Sequence, residues 1–219
     1  MPGKTIYNSL SKHKTTLFLI NGLNQTVDDL TLIINKIINS NKHTKIIIPH
    51  PKRMNITWPN GEKQYNINSW YNYYSRYDNK FKHDIINKQD FLDSTEQLSN
   101  LVNEEINHNP DIDIVLCGIS QGGTIAINYS SLSTIKFKSI LCIDTIFMHS
   151  YIDFKDIKKT PKQNYNILMS TKDEIYNPEF QLYCYNLLDN CNNVVNINYR
   201  NTYHCENFSY IADFIILRI

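Results

Sequence analysis

The sequence predicts a single-domain α/β fold, with a mainly parallel central sheet and helices on both faces. Three observations carry that expectation. Short β-branched apolar runs alternate with longer stretches of helical spacing along most of the chain. Strand-helix alternation of this kind builds parallel sheets covered on two sides. The 219 residues, 42% of them hydrophobic, suffice for one domain with a sizeable core.

The elements follow in order. Residues 1–14 are polar and mixed, and read as an N-terminal extension. Residues 15–20, Thr-Thr-Leu-Phe-Leu-Ile, read as the first strand, followed by a loop at 21–25. Residues 26–39 read as a helix, because Leu30, Ile33, Ile34, Ile37 and Ile38 recur at helical spacing. Residues 45–49 form a second strand. Residues 51–88 read as an irregular, aromatic-rich segment, long for a connection inside a compact domain and a candidate lid.

Residues 93–107 form an amphipathic helix with Leu98, Leu101, Val102 and Ile106 on one face. Ser94 and Gln97 have the spacing of a capping box at its start. A strand at 111–117 then leads into a helix at 121–132. Strands at 139–143 and 165–170, a helix at 178–188, a strand at 194–199 and a helix at 206–218 complete the chain.

Charge and cysteine usage narrow the partners. The formal net charge is +1 and no long basic run occurs, so neither nucleic acid nor an anionic membrane is expected as a partner. The apolar stretch at 17–20 is too short for a secretory signal or a membrane-spanning helix. Cys117, Cys142, Cys184, Cys191 and Cys205 are odd in number and lack CxxC spacing. The expectation is reduced cysteines in a cytoplasmic protein, with no metal and no cofactor.

The segment Gly118-Ile119-Ser120-Gln121-Gly122-Gly123 lies between the strand at 111–117 and the helix at 121–132. GxSxG in a strand–turn–helix setting is the nucleophile elbow of the α/β-hydrolase fold. Of the six glycines in the chain, Gly118, Gly122 and Gly123 fall in this segment, and Gly22 falls in the loop after the first strand. Glycine is otherwise scarce, so it sits where a Cβ would clash. Ser120 is the candidate nucleophile.

Serine needs a base, and the base needs a carboxylate that fixes its tautomer. On this fold the chain order is Ser, acid, His. His149 and His204 are the histidines after Ser120; His204 follows the last strand, where the base is delivered, whereas His149 comes early. Asp173, just after the strand at 165–170, is the candidate acid, with Glu174 beside it and Asp144 at the end of the preceding strand as rivals. Backbone N–H groups of Gln121 and Leu23 are the candidate oxyanion donors.

These residues resemble the phospholipase/carboxylesterase family, which includes acyl-protein thioesterases and lysophospholipases. Residues 114–123, Ile-Val-Leu-Cys-Gly-Ile-Ser-Gln-Gly-Gly, are similar to the family's strand followed by G-F-S-Q-G-G. Residues 19–23 are similar to its L-H-G-L loop. Pro49-His50-Pro51, Asn55-Ile56-Thr57 and Ser69-Trp70-Tyr71 resemble the stretch from P-x-A-P to S-W-F-D. Residues 170–176 resemble H-G-x-x-D-x-V-V, which puts Asp173 on the acid, and Tyr203-His204 falls on G-H. Asn21 stands in place of the family's His, Asn24-Gln25 in place of Gly-Asp, Asn72 in place of Asp and Tyr203 in place of Gly.

The resemblance implies hydrolysis of carboxylic esters or thioesters, with a small ester or an acylated protein or lipid as substrate. Trp70, Tyr71 and Ile175 are the candidate substrate-lining residues, and the aromatic segment 58–81 a candidate groove wall. A catalytically impaired protein that binds acyl chains or a protein partner is the alternative, as is a peptide-bond hydrolase on the same fold.

Overall fold

The computed structural model describes residues 3–57, 62–73, 86–191 and 193–219. A seven-stranded sheet forms the centre, built from β1 (Lys4–Tyr7), β2 (Thr15–Ile20), β3 (Thr44–Pro49), β6 (Asp113–Ile119), β7 (Ser139–Ile143), β8 (Asn164–Ser170) and β9 (Val194–Arg200). Its strand order is β1-β3-β2-β6-β7-β8-β9. All neighbours pair in parallel except β1, which runs antiparallel along β3.

The inner strands β2, β6 and β7 are buried along nearly their whole length because both faces of the sheet are covered, whereas the edge strands β1 and β9 are only partly buried. Alternate residues of β2 go to opposite sides: Leu17 and Leu19 to one core, Phe18 and Ile20 to the other. The first core closes against α1 (Thr31–Ser40) and α6 (Phe208–Ile216), through Ile33, Ile34, Ile37, Ile211 and Ile215. The second closes against α2 (Lys88–His108), α3 (Gln121–Leu132) and α5 (Pro178–Asp189), through Leu98, Val102, Ile125, Phe180 and Leu188. Each such side chain, fully buried, contributes roughly 1.5–3 kcal/mol. This is an α/β-hydrolase fold in one domain.

Three expectations need correction. The first 14 residues are not a plain extension, since Lys4–Tyr7 pairs with Ile46–Pro49 as an edge strand. The 51–88 segment is not irregular throughout: β4 (Lys52–Thr57) and β5 (Lys63–Ser69) form an antiparallel hairpin with a register shift between Met54 and Ile56. The remainder of the expected lid, residues 58–61 and 74–85, lies outside the described residues. The helix expected at 93 begins at Lys88, capped by the Asn87 side chain, which accepts from the N–H groups of Gln89 and Asp90. Ser94 therefore lies inside α2, where its hydroxyl donates to the Trp70 carbonyl instead of capping.

All five cysteines are free. Cys117 and Cys142 are fully buried on the adjacent central strands β6 and β7, and Cys184 on α5. Burial pushes the thiols of Cys117 and Cys142 far up, and that of Cys184 up to about 12. No helix among the described residues is long and apolar enough to cross a membrane.

Candidate active site

The site lies at the C-terminal ends of the parallel strands, where the loops after β2, β6, β8 and β9 converge. Ser120 stands between β6 and α3 with φ 51° and ψ −121°, a strained conformation for a residue with a side chain. Its N–H donates to the Ile143 carbonyl at 2.8 Å, and its carbonyl accepts from Gly123 N–H at 2.9 Å and Thr145 Oγ1 at 2.7 Å. Close approach explains the flanking glycines. A Cβ on Gly118 would sit 2.4 Å from Gly123 Cα, and one on Gly122 would sit 2.4 Å from the carbonyl oxygens of Ile20 and Asn21.

His204, in the loop after β9, places Nε2 2.9 Å from Ser120 Oγ. Its Nδ1 lies 2.8 Å from Asp173 Oδ2. With the proton on Nδ1 directed at Asp173, Nε2 faces the serine as an acceptor. Asp173 is held from three further directions. Its Oδ1 accepts from the N–H groups of Ile175 and Tyr176, each at 2.8 Å, and Oδ2 accepts from Gln181 Nε2 at 3.0 Å. The Tyr176 ring meets the imidazole edge-on, 5.6 Å between centroids.

The rival residues are engaged elsewhere. Glu174 accepts from the backbone N–H of His204 at 3.1 Å. His149 packs among Phe147, Phe154 and Tyr183. Asp144 is fully buried and paired with Arg200.

The loop after β2 is held by side-chain amides. Asn21 Nδ2 donates to the Gln25 carbonyl at 2.8 Å, and Gly22 N–H donates to Gln25 Oε1 at 2.6 Å. Asn24, at φ 57°, donates its N–H to the Asn68 carbonyl on β5 at 2.8 Å. The N–H groups on either side of Leu23, the expected oxyanion donor, are thus both engaged within the loop and its hairpin contact. Gln121 is the first residue of α3, so its N–H has no intrahelical partner and carries the positive end of the helix dipole.

Trp70 and Tyr71, expected to line the substrate groove, are core residues instead. Trp70 is buried, with its indole N–H donating to the Asn21 carbonyl at 2.8 Å, so it buttresses the loop from behind. Tyr71 is fully enclosed, with Tyr73 and Phe91 packed edge-on against its ring. Trp70 and Tyr71 thus supply buried hydrophobic area beneath the site and not a groove wall, and the other aromatic residues at 58 and 74–81 lie outside the described residues. Ile175, partly exposed, does line the cavity beside Ser120 and His204.

That cavity, about 330 Å³, is walled by Leu23, Gln25, Gln64, Tyr73, Ile175 and Tyr176. Tyr73 belongs to the aromatic segment expected to wall the groove, whereas Gln25, Gln64 and Gln181 were not singled out in the sequence. Gln64 lies on the unforeseen hairpin. The Gln121 side chain ties the two halves of the site: Oε1 accepts from Trp70 N–H at 2.9 Å, and Nε2 donates to the Tyr71 carbonyl at 3.0 Å. Burial and the adjacent Asp144 carboxylate push the Cys205 thiol up, which disfavours the nucleophilic thiolate.

Comparison with known proteins agrees with this architecture. No curated protein sequence matches the chain significantly. Among solved structures, Arabidopsis thaliana SOBER1 aligns with a TM-score of 0.73 at 15% identity, over 94% of this chain and 99% of its own. Zea mays acyl-protein thioesterase 2 aligns with a TM-score of 0.76 at 12% identity, over 100% and 99% respectively. The Bacillus cereus carboxylesterase aligns at 0.73 and 15% identity, over 97% and 91%. At these identities the likeness is one of fold. The sequence profile of the phospholipase/carboxylesterase family matches residues 1–215, and the chain belongs to that family.

Proposed function

We propose that the protein is a serine hydrolase of carboxylic esters or thioesters, acting through Ser120, His204 and Asp173. The observation that carries this reading is the unbroken hydrogen-bond chain from Ser120 Oγ through the His204 ring to Asp173, opening into a cavity walled in part by Leu23, Ile175 and Tyr176. Ser120 Oγ attacks the substrate carbonyl carbon while its proton passes to His204 Nε2. Asp173 steadies the imidazolium, and the N–H groups of Leu23 and Gln121 stabilise the oxyanion. Collapse expels the alcohol or thiol, which takes the proton from His204. Water then attacks the acyl-enzyme with His204 as base, and Ser120 regains its proton.

The substrate is a small ester or an acylated protein or lipid, its acyl group beside Leu23, Ile175 and Tyr176. Five free cysteines support a reducing compartment, the cytoplasm.

The test pairs a fluorophosphonate probe with turnover of short aryl esters, on the protein and on Ser120→Ala. Labelling and turnover that vanish in Ser120→Ala are expected. A folded protein with neither Ser120-dependent labelling nor turnover overturns the reading in favour of an acyl-binding protein without catalysis.

A further inference from the structure

Beneath His204 lies a second carboxylate that the proposed mechanism does not use. Asp144 directly follows β7 with φ 42°, fully buried. Its Oδ1 accepts from Ser170 N–H at 2.7 Å; its Oδ2 accepts from Ser170 Oγ at 3.0 Å, from Cys205 N–H at 2.7 Å and from Arg200 Nη2. Arg200, 7% exposed at the end of β9, also donates from Nε to Ser170 Oγ at 2.9 Å and from Nη1 to the Glu206 carbonyl. The segment from Arg200 to Glu206 thus wraps around one ion pair. Both of its ends are tied by the guanidinium, and the residue next to His204 is tied by the carboxylate.

We propose that Asp144 and Arg200 are positioning residues for His204, and that Arg200 keeps Asp173 the effective anion at the imidazole. This rests on the reading of His204 as the general base. Stability does not call for ions here, since an apolar pair of similar volume packs at least as well as a buried ion pair. Geometry does give them a role. A carboxylate oxygen of Asp144, a ring nitrogen of His204 and Cys205 Sγ lie within 4.8 Å of one another. Asp144 and Asp173 follow neighbouring strands, so both carboxylates come close to one ring. Unpaired, Asp144 would compete for the imidazole; Arg200 neutralises its charge and occupies its lone pairs. The Cys205 N–H bond requires the left-handed backbone of Cys205, φ 51°, which turns the loop beside His204.

Among the described residues, the other groups facing His204 are Ser120 from the elbow, Asp173, Glu174 and Tyr176 from the loop after β8, and the Cys205 thiol. None of them balances Asp144 in place of Arg200. Removing either partner therefore leaves a net charge of opposite sign beside the same ring.

The experiment compares Asp144→Asn, Arg200→Gln, Arg200→Lys and the double variant Asp144→Asn/Arg200→Gln. Two readouts are taken: kcat/KM against pH for an aryl ester, and the His204 imidazole resonance against pH by NMR. Asp144→Asn leaves a positive charge, so the acidic limb moves down by about one pH unit or more; Arg200→Gln leaves a negative charge and moves it up by as much. The double variant returns it close to the starting value, with kcat lowered about tenfold at similar KM. Arg200→Lys keeps the limb in place but lowers kcat, because the fork to Ser170 and Glu206 is lost.

Equal-direction shifts, or no shift in either single variant, overturn the proposal. Should the single variants fail to fold, wild-type kcat in both Arg200→Lys and the double variant overturns it, and a loss in both supports it. The NMR titration reads the pair even in a protein without turnover, so failure of the hydrolase reading is seen separately, as absence of Ser120-dependent activity.

Discussion

The elbow and the loop opposite it meet at the same cavity, but they are built by different physics. The elbow is shaped by exclusion: Gly122 has carbonyl oxygens where a Cβ would go. The loop after β2 is shaped by attraction, through the amides of Asn21, Gln25 and Asn68 and the Trp70 indole behind them. Steric exclusion leaves one solution, whereas a network of neutral hydrogen bonds, each worth about 1 kcal/mol net, has alternatives. The elbow should therefore fail abruptly on substitution, and the loop by degrees.

Gly122→Ala is the most severe way to test that difference. Its Cβ meets backbone from two residues, and neither can withdraw without parting β2 from the elbow. The expected loss is about 3 kcal/mol or more, read from urea unfolding by circular dichroism. A variant of near-normal stability would break the comparison. Asp173→Asn comes next. It keeps the shape but lets the wrong imidazole tautomer face Ser120, so kcat for an aryl ester should fall on the order of 10⁴-fold while the unfolding midpoint changes little.

Gln25→Ala probes the other wall. Gly22 N–H loses its acceptor and Leu23 loses its support, so about 1 kcal/mol of stability and roughly 10- to 100-fold in kcat should go. An effect as large as that of Asp173→Asn would mean that the loop is as unforgiving as the elbow. The smallest change is expected for Ile175→Ala, on the partly exposed rim. Stability should stay within about 0.5 kcal/mol, while KM for apolar acyl groups rises several-fold with kcat kept.

The same contrast explains what could be read from the sequence. The elbow was legible because the scarce glycines mark it, and Asp173 and His204 because chain order on this fold assigns them loops after particular strands. The amide network was not, because Asn and Gln occur throughout the chain and nothing distinguishes Gln25 from a solvated neighbour. The β4–β5 hairpin escaped for a related reason. Lys-Arg-Met-Asn-Ile-Thr and Lys-Gln-Tyr-Asn-Ile-Asn-Ser carry few apolar residues, with much of each strand exposed, so the alternation is faint. The start of α2 was missed because its first turn, Lys-Gln-Asp, shows no apolar face, and the Asn87 cap looked like one more loop asparagine. Trp70 and Tyr71 were misplaced because aromatic residues in a polar stretch suit a groove wall and a hidden buttress equally well.

The free thiols give the molecule its own unfolding clocks. Cys117 and Cys142 sit on central strands, Cys184 on a covering helix, and Cys205 in the histidine loop. A thiol reagent can reach the buried Cys117, Cys142 and Cys184 only after the surrounding structure opens, and the depth of the site sets how much must open. Labelling Cys184 alone would time the release of α5 from the sheet, while labelling Cys117 would time the dissolution of the sheet. With opening fast relative to labelling, the ratio of the two rates becomes a free-energy difference between local and global opening. The stability of the covering helix can thus be weighed against that of the central sheet without adding a foreign probe.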